Sequence, residues 1–222
     1  PKLPMDAQLI GLRKTKELYA RELDSLHRRR LRALKAARGR DRCFIIGNGP
    51  SLNKTDLEEL KNEDVFATNC FFLKMPELDW TPAYYVVEDH LVAEDRAGEI
   101  NALRGPVKLF PANLRYVIEP DDDTIFFDHR PRRSFPHGFD FSFDADKETF
   151  AGGTVTYTCL QLAAYLGYRE IYLIGVDADY AVPADATLTG AGGVKHIDMQ
   201  SDDANHFHPD YFGKGKRWHE PN

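Results

Sequence analysis

Arg42-Cys43-Phe44-Ile45-Ile46-Gly47-Asn48-Gly49-Pro50-Ser51-Leu52 is the stretch that decides the fold of this 222-residue chain. Cys43 to Ile46 reads as a buried strand that breaks into a glycine turn, and Pro50 suits the first turn of a short helix. Such a junction leaves backbone N–H groups for a phosphate, since a helix N-terminus carries orphan donors and partial positive charge. Gly47 and Gly49 let a ligand approach the backbone, Ser51 opens the helix, and the Asn48 amide can donate and accept. The plain alternative is a tight turn. The third glycine of a dinucleotide fingerprint is absent, because Leu52 stands where it would fall, which argues against an NAD site.

Outward from this turn, apolar runs and helical patterns alternate. Strands are predicted at Cys43–Ile46, Val65–Thr68, Ala83–Val87, Val107–Phe110, Thr124–Phe127 and Ile171–Ile174. A helix is predicted from Thr154 to Tyr168, with Leu160, Ala163, Ala164 and Leu166 on its apolar face and Gly167 ending it. Thr55-x-x-Glu58 reads as a capping box. The alternation predicts an α/β fold: a Rossmann-like, mostly parallel sheet with helices on both faces, preceded by an N-terminal helical segment. The division is a helical extension over 1–41 and a nucleotide-binding transferase domain over 42–222. Residues 128–148 read as a long surface loop, and 181–222 as irregular.

Composition narrows the class. A net charge of −6 makes nonspecific nucleic-acid binding an unfavoured function. Cys43, Cys70 and Cys159 lie scattered beside apolar runs without zinc-ligand spacing, so they read as buried reduced thiols and point to the cytoplasm. No apolar run approaches the length of a membrane span, and none resembles a signal peptide. A start at Pro1 and an end at Glu220-Pro221-Asn222 read as a piece of a longer protein. Leu9, Leu12, Tyr19, Leu23 and Leu26 recur at helical spacing and are followed by Arg28, Arg29, Arg30, Arg32, Lys35, Arg38 and Arg40. That helix can pack its leucine stripe on the domain or on a second copy in a homo-oligomer. Its basic face can also adsorb to anionic lipid, which would make the protein peripheral at the inner membrane.

Further polar residues gather at strand and helix ends. Gly152-Gly153-Thr154 precedes the long helix and either holds a second anionic group or caps the helix. Asn69 and the Glu88-Asp89-His90 run close the second and third strands. In an open α/β sheet, ligands collect at the carboxyl ends of the strands, so these ends point to one crevice. Asp177, after the last strand, orients a ribose hydroxyl, holds magnesium, or bonds local backbone as an Asx turn. Asn205-His206-Phe207-His208-Pro209-Asp210-Tyr211 is the densest cluster. His206 and His208 with Asp210 could ligate a metal, but the spacing is unfamiliar and no metal site is assigned. A single His206 acting as general base fits better, because an imidazole titrates near neutrality unaided.

Ile45 to Leu52, Asp64-Val65-Phe66-Ala67-Thr68-Asn69 and Leu166 to Asp177 together resemble the bacterial sialyltransferases that act on lipo-oligosaccharide. They also resemble the broader DUF115-type domain of motility accessory factors and hydroxymethylpterin diphosphokinase-like proteins, over roughly residues 42–212. The resemblance implies that Asn48 and Asn69 contact the nucleotide of an activated sugar, with Gly152, Gly153 and Thr154 loosely matching a further contact. It implies Tyr180 as the aid to phosphate departure, displaced by about one residue, and His206, followed by Phe207, as the base. Glu88-Asp89 departs from the Asn those enzymes carry, and a carboxylate there would repel a nucleotide phosphate unless a metal or arginine intervenes.

The expected function is therefore a glycosyltransferase using a nucleotide-activated small-molecule donor, such as a CMP-nonulosonate, on a bacterial surface glycan or protein acceptor, with no cofactor required. The alternatives are a 6-hydroxymethylpterin diphosphokinase-like enzyme with ATP and Mg2+ on Asp177, Asp179 and Glu88-Asp89, and a binding module without turnover.

Overall fold

The computed structural model describes residues 25–131, 138–179, 187–189, 196–198, 203–212, 215 and 217–219. Its centre is a six-stranded sheet formed by β1 (Arg42–Ile46), β2 (Asp64–Thr68), β3 (Tyr84–Val86), β4 (Val107–Pro111), β5 (Thr124–Phe127) and β8 (Glu170–Ile174). The order is β5-β4-β3-β2-β1-β8 and every pairing is parallel. The chain thus winds outward from β1 to β5 and returns to β8 on the other side of β1. That reversal makes the carboxyl ends of β1 and β8 the topological switch point, where open α/β sheets place their ligands. The six predicted strands are all present within one residue at either end.

One face of the sheet is covered by two helices, α1 (Ser25–Ala37) and α4 (Val155–Leu166). Between sheet and helices lie Cys43, Ile45, Phe66, Val86, Leu109, Phe127, Cys159, Leu162 and Leu31. Leu31 is 1% exposed, so α1 contributes to the core, and burying one such leucine is worth about 1.5–3 kcal/mol. The basic residues of α1 help to seat it. Arg30 donates to the carbonyls of Asp122 and Thr124, Arg32 pairs with Asp146 at 2.6 Å, and Lys35 lies over the Tyr165 ring. α4 ends as the sequence requires. Gly167 takes φ +93°, and the N–H groups of Gly167 and Tyr168 close onto Ala163 and Ala164 in a left-handed cap.

The other face is covered by short pieces. Pro50–Lys54, Leu57–Leu60 and Asn69–Leu73 are 3-10 turns, α2 (His90–Asp95) and α3 (Ala97–Ala102) are single-turn helices, and Phe207, Tyr211 and Phe212 insert from the C-terminal loop. The expected capping box is replaced by a neighbour: Asp56, not Thr55, accepts the N–H of Glu58, while Thr55 donates to Ser51. A carboxylate one residue nearer the turn wins because it reaches the N2 donor directly.

Two other regions differ from expectation. The 128–148 segment is bounded by a two-residue parallel pair, β6 (His129–Arg130) with β7 (Thr149–Phe150). Within 181–222, β9 (Thr187–Thr189), β10 (His196–Asp198) and β11 (Arg217–His219) form an antiparallel sheet with Ile197 opposite both Leu188 and Trp218. Among the described residues, no helix is long and apolar enough to cross a membrane.

Candidate active site

The turn after β1 is built differently from an open phosphate cradle. Gly47 N–H donates to Ile174 O and Gly49 N–H to Gly175 O, both at 2.8 Å. Ser51 N–H donates to Asp177 Oδ2 at 2.9 Å and Ser51 Oγ to Asp177 Oδ1. These donors are spent inside the chain, on the extension of β8. The glycines have the same origin. A Cβ on Gly47 would lie 2.4 Å from Gly175 O, and one on Gly49 would lie 2.3 Å from Asp177 Oδ2. The Asp177 carboxylate does not form the expected Asx turn on local backbone: its bonds are to the N–H and hydroxyl of Ser51, 126 residues away across the switch point.

The side chain of Asn48 faces the other way. It is 8% exposed, and its Nδ2 donates to Thr68 Oγ1 at 2.8 Å. Thr68 passes its own proton to Ile46 O at 2.8 Å, which fixes the Asn48 amide with nitrogen inward. Asn48 Oδ1 is buried and has no hydrogen-bond partner. Asn69, at the end of β2, repeats this: its Oδ1 is also buried and unpaired. Its backbone takes φ +48°, a region that costs a non-glycine residue free energy and that asparagine tolerates best. A buried acceptor without a partner costs about 1–3 kcal/mol, so two at adjacent strand ends leave acceptor capacity that a ligand or an ordered water can fill.

The second glycine junction caps α4. Thr154 Oγ1 accepts the N–H of Thr156 at 3.3 Å, Gly153 has φ +83°, and Gly152 lies under Tyr157, whose ring would meet a Cβ at 2.3 Å. This helix end lies beside Glu88, the residue two positions past β3, which accepts from Thr158 Oγ1 at 2.6 Å and contacts His129 Nε2 at 3.2 Å. Asp89 caps α2 through the N–H of Leu91.

The C-terminal loop brings His206 to the same rim. Phe207 N–H donates to the carbonyl of Asn48 at 2.9 Å, and Asn53 Nδ2 donates to Phe207 O at 2.8 Å. His206 Nδ1 lies 2.6 Å from Asp203 Oδ2, and the side chains are 5% and 1% exposed. Asp203 also accepts the N–H groups of Asn205 and Phe212, at 2.8 and 3.0 Å, so its carboxylate is held in place before it orients the imidazole. Tyr211 stacks on the His206 ring at 3.8 Å with planes 4° apart. Arg96, between α2 and α3, anchors the loop by donating to the carbonyls of Asp210 and Tyr211. The Asp203 carboxylate orients the His206 imidazole through Nδ1, as the orienting acid of a general base does.

His206, His208 and Asp210 do not converge on a metal. His206 is turned to Asp203, while His208 Nδ1 accepts the N–H of Asp210 at 3.1 Å. No group of three or more His, Cys, Asp or Glu side chains among the described residues could hold a metal ion. Tyr180 lies outside the described residues.

Sequence reading missed Asp203, Arg96 and His129. Asp203 carries a usable signal, an Asp three residues before the His in a loop. Arg96 and His129 carry none, since the contacts that tie them to the site, to Asp210, Tyr211 and Glu88, span at least 41 residues.

Neither a curated protein nor a solved structure matches the chain. A family model described as 6-hydroxymethylpterin diphosphokinase MptE-like matches residues 16–182, about three quarters of the sequence, covering the switch point and the rim but ending before the Asp203–His206 loop. The family is named for a diphosphokinase, a kind of transferase. By this match the chain belongs to the MptE-like family.

Proposed function

We propose that this protein is a nucleotide-dependent glycosyltransferase in which His206 activates a hydroxyl of the acceptor. The observation that carries this reading is the Phe207–Asn48 hydrogen bond, which ties the loop of the Asp203–His206 pair to the turn that carries Asn48. His206 Nε2 takes the acceptor proton, and the acceptor oxygen bonds to the anomeric carbon of the donor sugar. The bond from that carbon to the nucleotide phosphate breaks, and its electron pair leaves with the phosphate. Asn48 and Asn69 hold the nucleoside, and the α4 N-terminus at Gly152, Gly153 and Thr154 favours the departing anion. Tyr180 is proposed to assist that departure, the donor to be a CMP-linked nonulosonate, and the acceptor a bacterial surface glycan or protein.

A second reading, diphosphoryl transfer from magnesium-bound ATP, is favoured by the family match. It uses the same base on a different hydroxyl. Against it stand the carboxylates it would recruit: both oxygens of Asp177 are held by Ser51, Asp89 caps a helix, and Glu88 is tied to Thr158 and His129.

Thermal-shift measurements with CMP, CDP, UDP and ATP, each with and without magnesium, test the choice. Stabilisation by CMP without metal is expected. Stabilisation only by ATP with magnesium would replace the first reading with the second, and no response to any nucleotide would defeat both.

A further inference from the structure

Glu88 and His129 form a second buried carboxylate–imidazole pair that the proposed reaction does not use. They come from different elements, the end of β3 and β6, and their side chains are 15% and 9% exposed. Neighbouring hydroxyls hold both of them. His129 Nδ1 lies 2.9 Å from Thr149 Oγ1, whose hydroxyl also reaches the carbonyl of Asp128 at 3.1 Å, so the ring is held from the side away from Glu88. Glu88 Oε2 accepts from Thr158 Oγ1 at 2.6 Å and Oε1 faces His129 Nε2 at 3.2 Å. Each carboxylate oxygen has one lone-pair site engaged and one remaining.

The neighbours of Glu88 point to what fills those sites. β1, β2 and β3 are adjacent in the sheet, and their ends present Asn48 Oδ1, Asn69 Oδ1 and the Glu88 carboxylate. The first is on a side chain more than nine-tenths buried, and neither asparagine oxygen has a partner. A row of acceptors repels phosphate oxygens and pairs with hydrogen-bond donors. A carboxylate whose two oxygens each keep an acceptor site is complementary to two adjacent donors on one ligand.

We propose that Glu88 is the specificity-determining residue of the crevice, binding a pair of adjacent donors on the ligand, either a ribose cis-diol or the amino and ring N–H edge of a purine-like base. This rests on the nucleotide-binding reading above. Thr158 and His129 fix the carboxylate.

Isothermal titration of the full chain with two nucleotide pairs tests this: CMP against 2′-deoxy-CMP for the diol, and GMP against IMP for the amino edge. Wild type is expected to discriminate in one pair by about tenfold or more, as a bond to a charged acceptor provides. Glu88→Gln should reduce that ratio to less than about threefold, while His129→Gln, which keeps the carboxylate, should retain a preference in the same direction. The proposal is overturned if wild type discriminates in neither pair, or if Glu88→Gln discriminates as wild type does. The wild-type comparison alone decides if a variant does not fold. Binding of nucleotides without discrimination removes only the role of Glu88, whereas no binding at all removes the nucleotide reading with it.

Discussion

Phe207 N–H donates to the carbonyl of Asn48 at 2.9 Å, which joins the loop carrying the imidazole to the turn that ends the first strand. The Asn53–Phe207 bond, the packing of Phe207 against Phe71 and the Arg96 bonds to the carbonyls of Asp210 and Tyr211 hold the loop at this point of the rim. Replacing His206 by Ala should lower transfer by about 10²–10⁴-fold, the span that general-base catalysis contributes. Asp203→Asn should also lower it, because an amide can satisfy His206 Nδ1 while offering the wrong tautomer or losing the N–H groups of Asn205 and Phe212. Steady-state rates of both variants, with melting curves as a fold control, check this; full activity of His206→Ala would remove the base from the mechanism.

Gly47 is required by the approach of β8. A methyl group there meets a carbonyl oxygen at 2.4 Å and cannot be relieved by a rotamer change. Gly47→Ala should therefore cost about 1–3 kcal/mol by overpacking, more if the Gly47–Ile174 hydrogen bond breaks. Urea unfolding measures the loss, expected as a lower midpoint with unchanged slope.

The central strands were legible because they are short apolar runs buried on both faces, and β8 was legible from its apolar run alone, since it lies at the sheet edge with Tyr172 and Leu173 exposed. Val65-Phe66-Ala67 and Ile125-Phe126-Phe127, at most 2% exposed, show the burial directly. The helix at Val155–Leu166 was legible from its glycine stop. The turn after β1 was legible as a turn but not in its bonding, since the partners of Gly47 and Gly49 are carbonyls 126 or 127 residues further on. A sequence shows that a glycine is needed, not whether a ligand or the chain itself approaches it. The pairing of His129 with Glu88, and the two-residue β6–β7 ladder that sets it, depend on such long-range contacts and carry no local pattern.

Lys108 is almost wholly buried in β4, with its ammonium on Asp121 and on the carbonyl of Leu103. Burial alone would raise the Asp121 carboxyl, but hydrogen bonds from Lys108 and Thr124 outweigh it and hold the carboxyl below its ordinary value. A depressed carboxylate contributes stability above its unfolded value, near pH 4, and loses it as pH falls through the lower folded value. Wild type should accordingly weaken below about pH 4. Asp121→Asn should flatten that part of the profile while costing on the order of 3 kcal/mol at neutral pH, where it strands a buried ammonium. Chemical denaturation at a series of pH values reads both effects.

All three cysteines are buried and unbridged. Burial pushes the Cys43 and Cys70 thiols up to about 12 and the Cys159 thiol well above its ordinary value. Because the thiolate is the reacting species, native protein at pH 8 should give no rapid reaction with a disulfide reagent, and denatured protein should give three equivalents. Fast labelling of the native chain would contradict the packing around β1 and α4.

Asp177 separates the two functional readings by a single substitution. Its oxygens hold Ser51 N–H and Oγ, so Asp177→Ala removes a brace between the β1 turn and the β8 extension, worth about 1 kcal/mol at an exposed position. If the brace is its whole role, stabilisation by CMP survives the substitution once the lower starting melting temperature is subtracted. If Asp177 instead holds magnesium on ATP, the magnesium-dependent part of the ATP shift disappears and the metal-free nucleotide shifts remain. Ser51→Ala completes the comparison, because it weakens the same brace and leaves the carboxylate in place. A loss common to both variants is structural, and a loss confined to Asp177→Ala is a ligand contact.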